Sequence, residues 1–65
     1  MKQTINEILE AQVLQIVNTD GQYVALKRCV LCRPLKAAAH RLVQQKVLVL
    51  VGEFDGKLVW EKAEG

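Results

Sequence analysis

Cys29 and Cys32 are the two residues whose type and spacing come nearest to a chemical motif. A Cys-x-x-Cys pair can place one thiolate at a helix N-terminus, where the dipole lowers its pKa and makes it a redox nucleophile. It can also supply half of a tetrahedral zinc site. Here the pair follows a strand-like segment and precedes Pro34, a residue suited to the first turn of a helix. The rest of the chain is short for the strand–helix–strand scaffold of a disulfide oxidoreductase. A zinc site would need two more ligands, and the chain has one histidine, His40, and no further cysteine. Two subunits together could complete such a site. The expectation is a pair of structural thiols, with a shared metal site or a redox pair as alternatives, and with no metal or cofactor bound by one chain.

Other catalytic constellations are missing from the sequence. His40 has no partner at useful spacing, and serine is absent altogether, so no nucleophile–base–acid arrangement can be built. Glu53 and Asp55 flank a turn, where Asp more often serves turn geometry than acid–base work. No Gly-rich phosphate loop occurs. The chain is expected not to be an enzyme.

Charge patterning is more suggestive. The net charge is only +2, but no Asp or Glu lies between Gly21 and Gly52. That span carries Lys27, Arg28, Arg33, Lys36, Arg41 and Lys46, plus His40. Such a segment can attract phosphates or an acidic partner, or it can be a solvated face paired with the acidic ends. Single-strand nucleic-acid binders add aromatic stacking platforms to a basic groove. Tyr23, Phe54 and Trp60 are the only aromatics. Trp60 reads as core, and Tyr23, just after a turn, is the best stacking candidate. The candidate partner site is therefore Tyr23, Lys27, Arg28, Arg33, Lys36 and Arg41. The expected partner is a protein, including further copies of the chain, with single-stranded nucleic acid as the alternative.

The elements that must position these residues follow from periodicity. At 65 residues the chain is one domain with a thin core. Its 51% hydrophobic content exceeds what that interior needs, which points to a second buried surface. Thr4 and Glu7 have capping-box spacing, which suits one helical turn at the start or an irregular lead-in. Ala11 to Asn18 reads as a strand, Asp20-Gly21 as a hairpin turn, and Gln22 to Val30 as the return strand. Leu35, Ala38, Ala39, Leu42 and Val43 recur at helical spacing, so Pro34 to Gln45 reads as a helix. Lys46 to Phe54 reads as a strand apolar on both faces, which a partner subunit could cover. Asp55-Gly56 marks a second hairpin, closing on Lys57 to Lys62. The fold class is α+β: a small antiparallel sheet or partly open OB- or SH3-like barrel, with two hairpins flanking one helix. Self-association is expected through Val47 to Val51 or through the helix face Leu35, Leu42 and Val43.

The order Ala11-Gln12-Val13, Asp20-Gly21-Gln22-Tyr23-Val24, Ala37 to Val43, Val47-Leu48-Val49-Leu50 and Asp55-Gly56-Lys57 resembles the short OB-like domains of contractile phage-tail and type VI secretion clusters. Gln45-Lys46 stands where those families carry a Gly-Asp pair. The resemblance implies a structural or adaptor role without an active site. It also implies strand or turn in part of Ala37 to Val43. No apolar run approaches the length of a membrane span, and Met1 to Asn6 lacks the apolar centre of a secretory signal, so a cytoplasmic location away from membranes is expected.

Overall fold

The computed structural model describes residues 4–63, and the order of elements is helix, strand, helix, strand, strand. Helix α1 spans Ile5–Asp20, strand β1 Gln22–Leu26, helix α2 Arg33–Gln44, strand β2 Leu48–Phe54 and strand β3 Lys57–Lys62. The strands form one antiparallel sheet in the order β1-β3-β2. Both helices cover one face, so the domain is α+β with an open sheet. Among the described residues no helix is long and apolar enough to cross a membrane.

Helix α1 corrects the expected first strand. Val13, Leu14, Ile16 and Val17 sit in an alternating stretch, but Leu9, Val13, Ile16 and Val17 also fall at i, i+4, i+7 and i+8, one face of a helix. The cap decides between the two periods. Thr4 is extended and its Oγ1 accepts the Glu7 amide at 3.1 Å, so helix nucleation begins well before the ambiguous stretch. At the other end, Asp20-Gly21 is no hairpin. Gly21 takes φ of 86° and its amide bonds the Val17 carbonyl at 2.8 Å, ending the helix. Left-handed glycine serves a helix C-cap as readily as a hairpin. The expected two hairpins therefore reduce to one, and β1 pairs with β3 across a long connection instead of with a neighbour in sequence. The return strand is also shorter than expected, ending at Leu26.

Helix α2 forms as the periodicity requires and overrides the strand or turn that the resemblance implies for Ala37 to Val43. Pro34 stands in its first turn. Ala38 and Ala39 are fully buried and keep the side of α2 against the core thin. The helix closes on a two-bond motif: the Lys46 amide reaches the Val43 carbonyl at 3.0 Å and the Val47 amide reaches the Leu42 carbonyl at 2.9 Å. Lys46 takes the left-handed position with φ of 64°. The β2–β3 hairpin turns at Asp55-Gly56, with φ of 54° and 76°, the type I′ geometry that right-twisted strands favour.

The core collects around Trp60, which is 0% exposed at the middle of the central strand. Its ring stacks on Tyr23 with centroids 5.4 Å apart, and the His40 imidazole meets it edge-on at 5.4 Å. Val13 and Val17 from α1, Leu42 from α2 and Leu48 from β2 complete the packing.

A β-carbon in the left-handed region costs about 1 kcal/mol or more. We predict that Lys46→Gly raises stability by about 0.5–1 kcal/mol, read from urea unfolding midpoints. A loss of stability would mean that the α2 terminus is not built as described.

Candidate interaction site

The basic segment divides between two places: Lys27, Arg28, Arg33 and Lys36 lie at the turn between β1 and α2, and Arg41 lies against α1. Arg41 Nε is bonded to Glu10 Oε2 at 3.0 Å, and Gln45 Nε2 holds the other carboxylate oxygen at 3.2 Å. This cluster ties α2 to α1. Lys27, just past the end of β1, pairs with Glu53 of β2 at 2.9 Å. Lys36 Nζ donates to the carbonyls of Leu26 and Lys27 at 3.0 and 2.7 Å, closing the turn after β1. Arg28 and Arg33 are exposed at that same turn. The expectation for Tyr23 is overturned: it is 5% exposed and turned inward onto Trp60, where it cannot stack on a base. Three of the candidate cations thus have structural partners, and the aromatic platform lies inside the fold.

The side chains brought together on the surface are different ones. Strand register places Tyr23 opposite Trp60 and Ala25 opposite Leu58 on the helix-covered face. The alternate positions form the other face: Val24 opposite Val59, and Leu26 opposite Lys57. From β2, Val49 lies opposite Glu61 and Phe54 opposite Lys57. The register shifts between Leu50 and Gly52, inserting Val51 as a bulge, so that Gly52 faces Val59. The Phe54 ring leans over Gly52, 3.5 Å from where a β-carbon would sit, and fills the gap left by the missing side chain.

This uncovered face is apolar at its centre. Val24 is 40% exposed and Phe54 56%, with Leu26 and Val49 in the same range. Val59 is shielded by its neighbours yet lies outside the core cluster on the other side. On the central strand, Lys57 and Glu61 stand two residues to either side of Val59, on the same face. The expected contact through Leu35, Leu42 and Val43 is corrected, because Leu42 is buried and the other two pack against the core. Within the expected Val47 to Val51 contact, Val49 lies on the open face, whereas Leu48 is buried inside. The period of two in Lys57-Val59-Glu61 was the signal available for this face.

No family model matches the sequence, and no curated protein or solved structure matches the chain.

The Glu10 carboxylate is held below the ordinary value first by its bond to Arg41 and then by that to Gln45. A depressed carboxylate pKa contributes stability above the unfolded value that is lost as pH falls through the folded one. We predict that Glu10→Gln costs about 0.5 kcal/mol at neutral pH and that the difference from the parent chain shrinks as pH falls below about 4.5. A pH-independent difference in thermal unfolding would remove the ion-pair explanation.

Proposed function

We propose that this domain is a non-enzymatic interaction module whose open sheet face docks on a second copy of itself. The observation that carries the reading is the antisymmetry of the central strand. Lys57 and Glu61 flank Val59 at equal spacing on a face whose other members are apolar except for Gln22 at the start of β1. A two-fold interface must be complementary to itself. With the axis lying between the sheets and perpendicular to β3, the two central strands run antiparallel. Lys57 of each copy then meets Glu61 of the other, Val59 meets Val59, and Phe54 meets Val49. With the axis along β3, Lys57 would face Lys57, and the charges select against that arrangement. Sheets stacked about 10 Å apart leave room for both long side chains to reach across.

The contact is small. Three strands about 4.8 Å apart present roughly 300 Å², below the ~800 Å² per partner of a standard interface. The reading is therefore a weak dimer in the micromolar range, suited to an adaptor that gains strength from repetition or from a further partner. It carries no active site. An OB-like single-strand binder is the competing reading of the basic segment, and the inward Tyr23 deprives it of its stacking platform.

Sedimentation equilibrium of the whole chain tests the dimer. We predict a monomer–dimer equilibrium that Lys57→Glu weakens by roughly tenfold, since like charges replace two attractive pairs. Glu61→Lys should do the same, and the double exchange should restore dimerisation while leaving net charge unchanged. A monomer at millimolar concentration, or a double variant no better than the singles, would overturn the reading. Salt-resistant micromolar binding of mixed-sequence single strands would replace it with the competing one.

A further inference from the structure

The turn between β1 and α2 brings the two cysteines together in an ordered setting. Cys32 is the N-cap residue of α2, and its thiol donates to Cys29 Sγ at 2.6 Å. The Cys32 thiol is therefore the hydrogen-bond donor that the Cys29 sulfur meets in this turn. Lys36, anchored on the carbonyls of Leu26 and Lys27, holds its ammonium beside the pair. Cys29 lines a surface groove with Leu26, Arg28, Glu53 and Gly56, while Cys32 does not. The loop between them is open to solvent, Leu31 being 92% exposed.

We propose that Cys29 and Cys32 are a redox-active dithiol that closes to an intramolecular disulfide by exchange with a low-molecular-weight disulfide, Cys29 being the attacking sulfur. The Cys32 thiol, donating to Cys29 and not the reverse, stabilises charge on Cys29. Its pKa is lowered, first by the Cys32 thiol, while that of Cys32 is raised by the same contact. The thiolate on Cys29 attacks one sulfur of the small disulfide. That sulfur–sulfur bond breaks, one thiolate leaves, and Cys29 is held as a mixed disulfide. Cys32 then attacks the Cys29 sulfur and expels the second thiolate. Two electrons pass from the protein pair to the small disulfide, and the two protons of the dithiol end on the two released thiols. Zinc is the rival ligand for such a spacing. Among the described residues no group of three or more His, Cys, Asp and Glu could hold a metal ion. Lys27, Arg28, Arg33 and Lys36 flank the pair in the chain, and positive charge of that kind favours a thiolate and repels a cation.

The test equilibrates the reduced full chain with mixtures of reduced and oxidised glutathione, quenches with acid, and maps the sulfurs by mass spectrometry. The proposal predicts a reversible Cys29–Cys32 disulfide within one chain. It also predicts alkylation of Cys29 by iodoacetamide at neutral pH about tenfold faster than that of Cys32. Cys32→Ser should accumulate glutathione on Cys29. Cys29→Ser should lose most of the reactivity at the remaining thiol. The parent-chain measurements stand even if a variant fails to fold. Equal alkylation of both sulfurs, or no intramolecular disulfide in oxidising buffer, overturns the proposal. So does zinc, added alone, that stays bound through gel filtration and protects both thiols.

Discussion

The whole arrangement depends on covering one indole. Trp60 sits at the centre of the middle strand, and its ring reaches the side of the sheet where both helices lie. A buried tryptophan removes more apolar surface from water than any other side chain here. Tyr23 stacks on it from β1, His40 closes it from α2, and the α1 valines reach it from below. The indole N–H finds no acceptor among the described residues, which costs about 1–3 kcal/mol. The packing of the rings and aliphatic side chains has to exceed that cost. In a chain whose total stability is on the order of 5 kcal/mol, little can be spared from this cluster.

Concentrating the helices on one side leaves the other side of the sheet bare. Among the described residues no third layer covers it. Between Lys57 and Glu61 the bare face is Val and Phe, with Leu26 at the edge, where a sheet facing water would carry polar side chains. The Lys27–Glu53 pair ties the end of β1 to β2, and the bulge at Val51 bends β2, a feature that hinders edge-to-edge pairing. The proposed self-association uses the face of the sheet and not its strand edges. The cysteine turn lies at the end of β1, where Cys29 borders a groove shared with Leu26 and Glu53, and its proposed chemistry is separate from the docking of the face.

The second half of the chain was readable from its sequence. Pro34, the alanine-rich stripe and Asp55-Gly56 each specify one local geometry, and the helix, the hairpin and Trp60 as core followed from them. The first half was not, because its signals serve two structures. Val13 to Val17 satisfies both a period of two and a period of 3.6, and Asp20-Gly21 suits both a turn and a helix end. Only the early cap at Thr4, acting nine residues before Val13, separates them. The faces of β1 were harder still. Val24 and Leu26 are the more apolar pair, yet Tyr23 and Ala25 go inside. That choice is made by Trp60 across the ladder, a partner 37 positions away, and no local pattern records it. The basic stretch looked like one surface for a similar reason. Its neutralising acids, Glu10 and Glu53, come from elements distant in sequence.

The central claim is that one face of the sheet is closed by Trp60 and the helices while the other is closed by a second copy. Isotope-filtered nuclear Overhauser spectra on a mixture of labelled and unlabelled chains test it most directly. The account predicts cross-copy contacts from the Phe54 ring to the Val49 methyls and between Val59 methyls, with every contact of the Trp60 indole remaining within one chain. Cross-copy contacts at the helices or at the indole, or none anywhere at millimolar concentration, would contradict it.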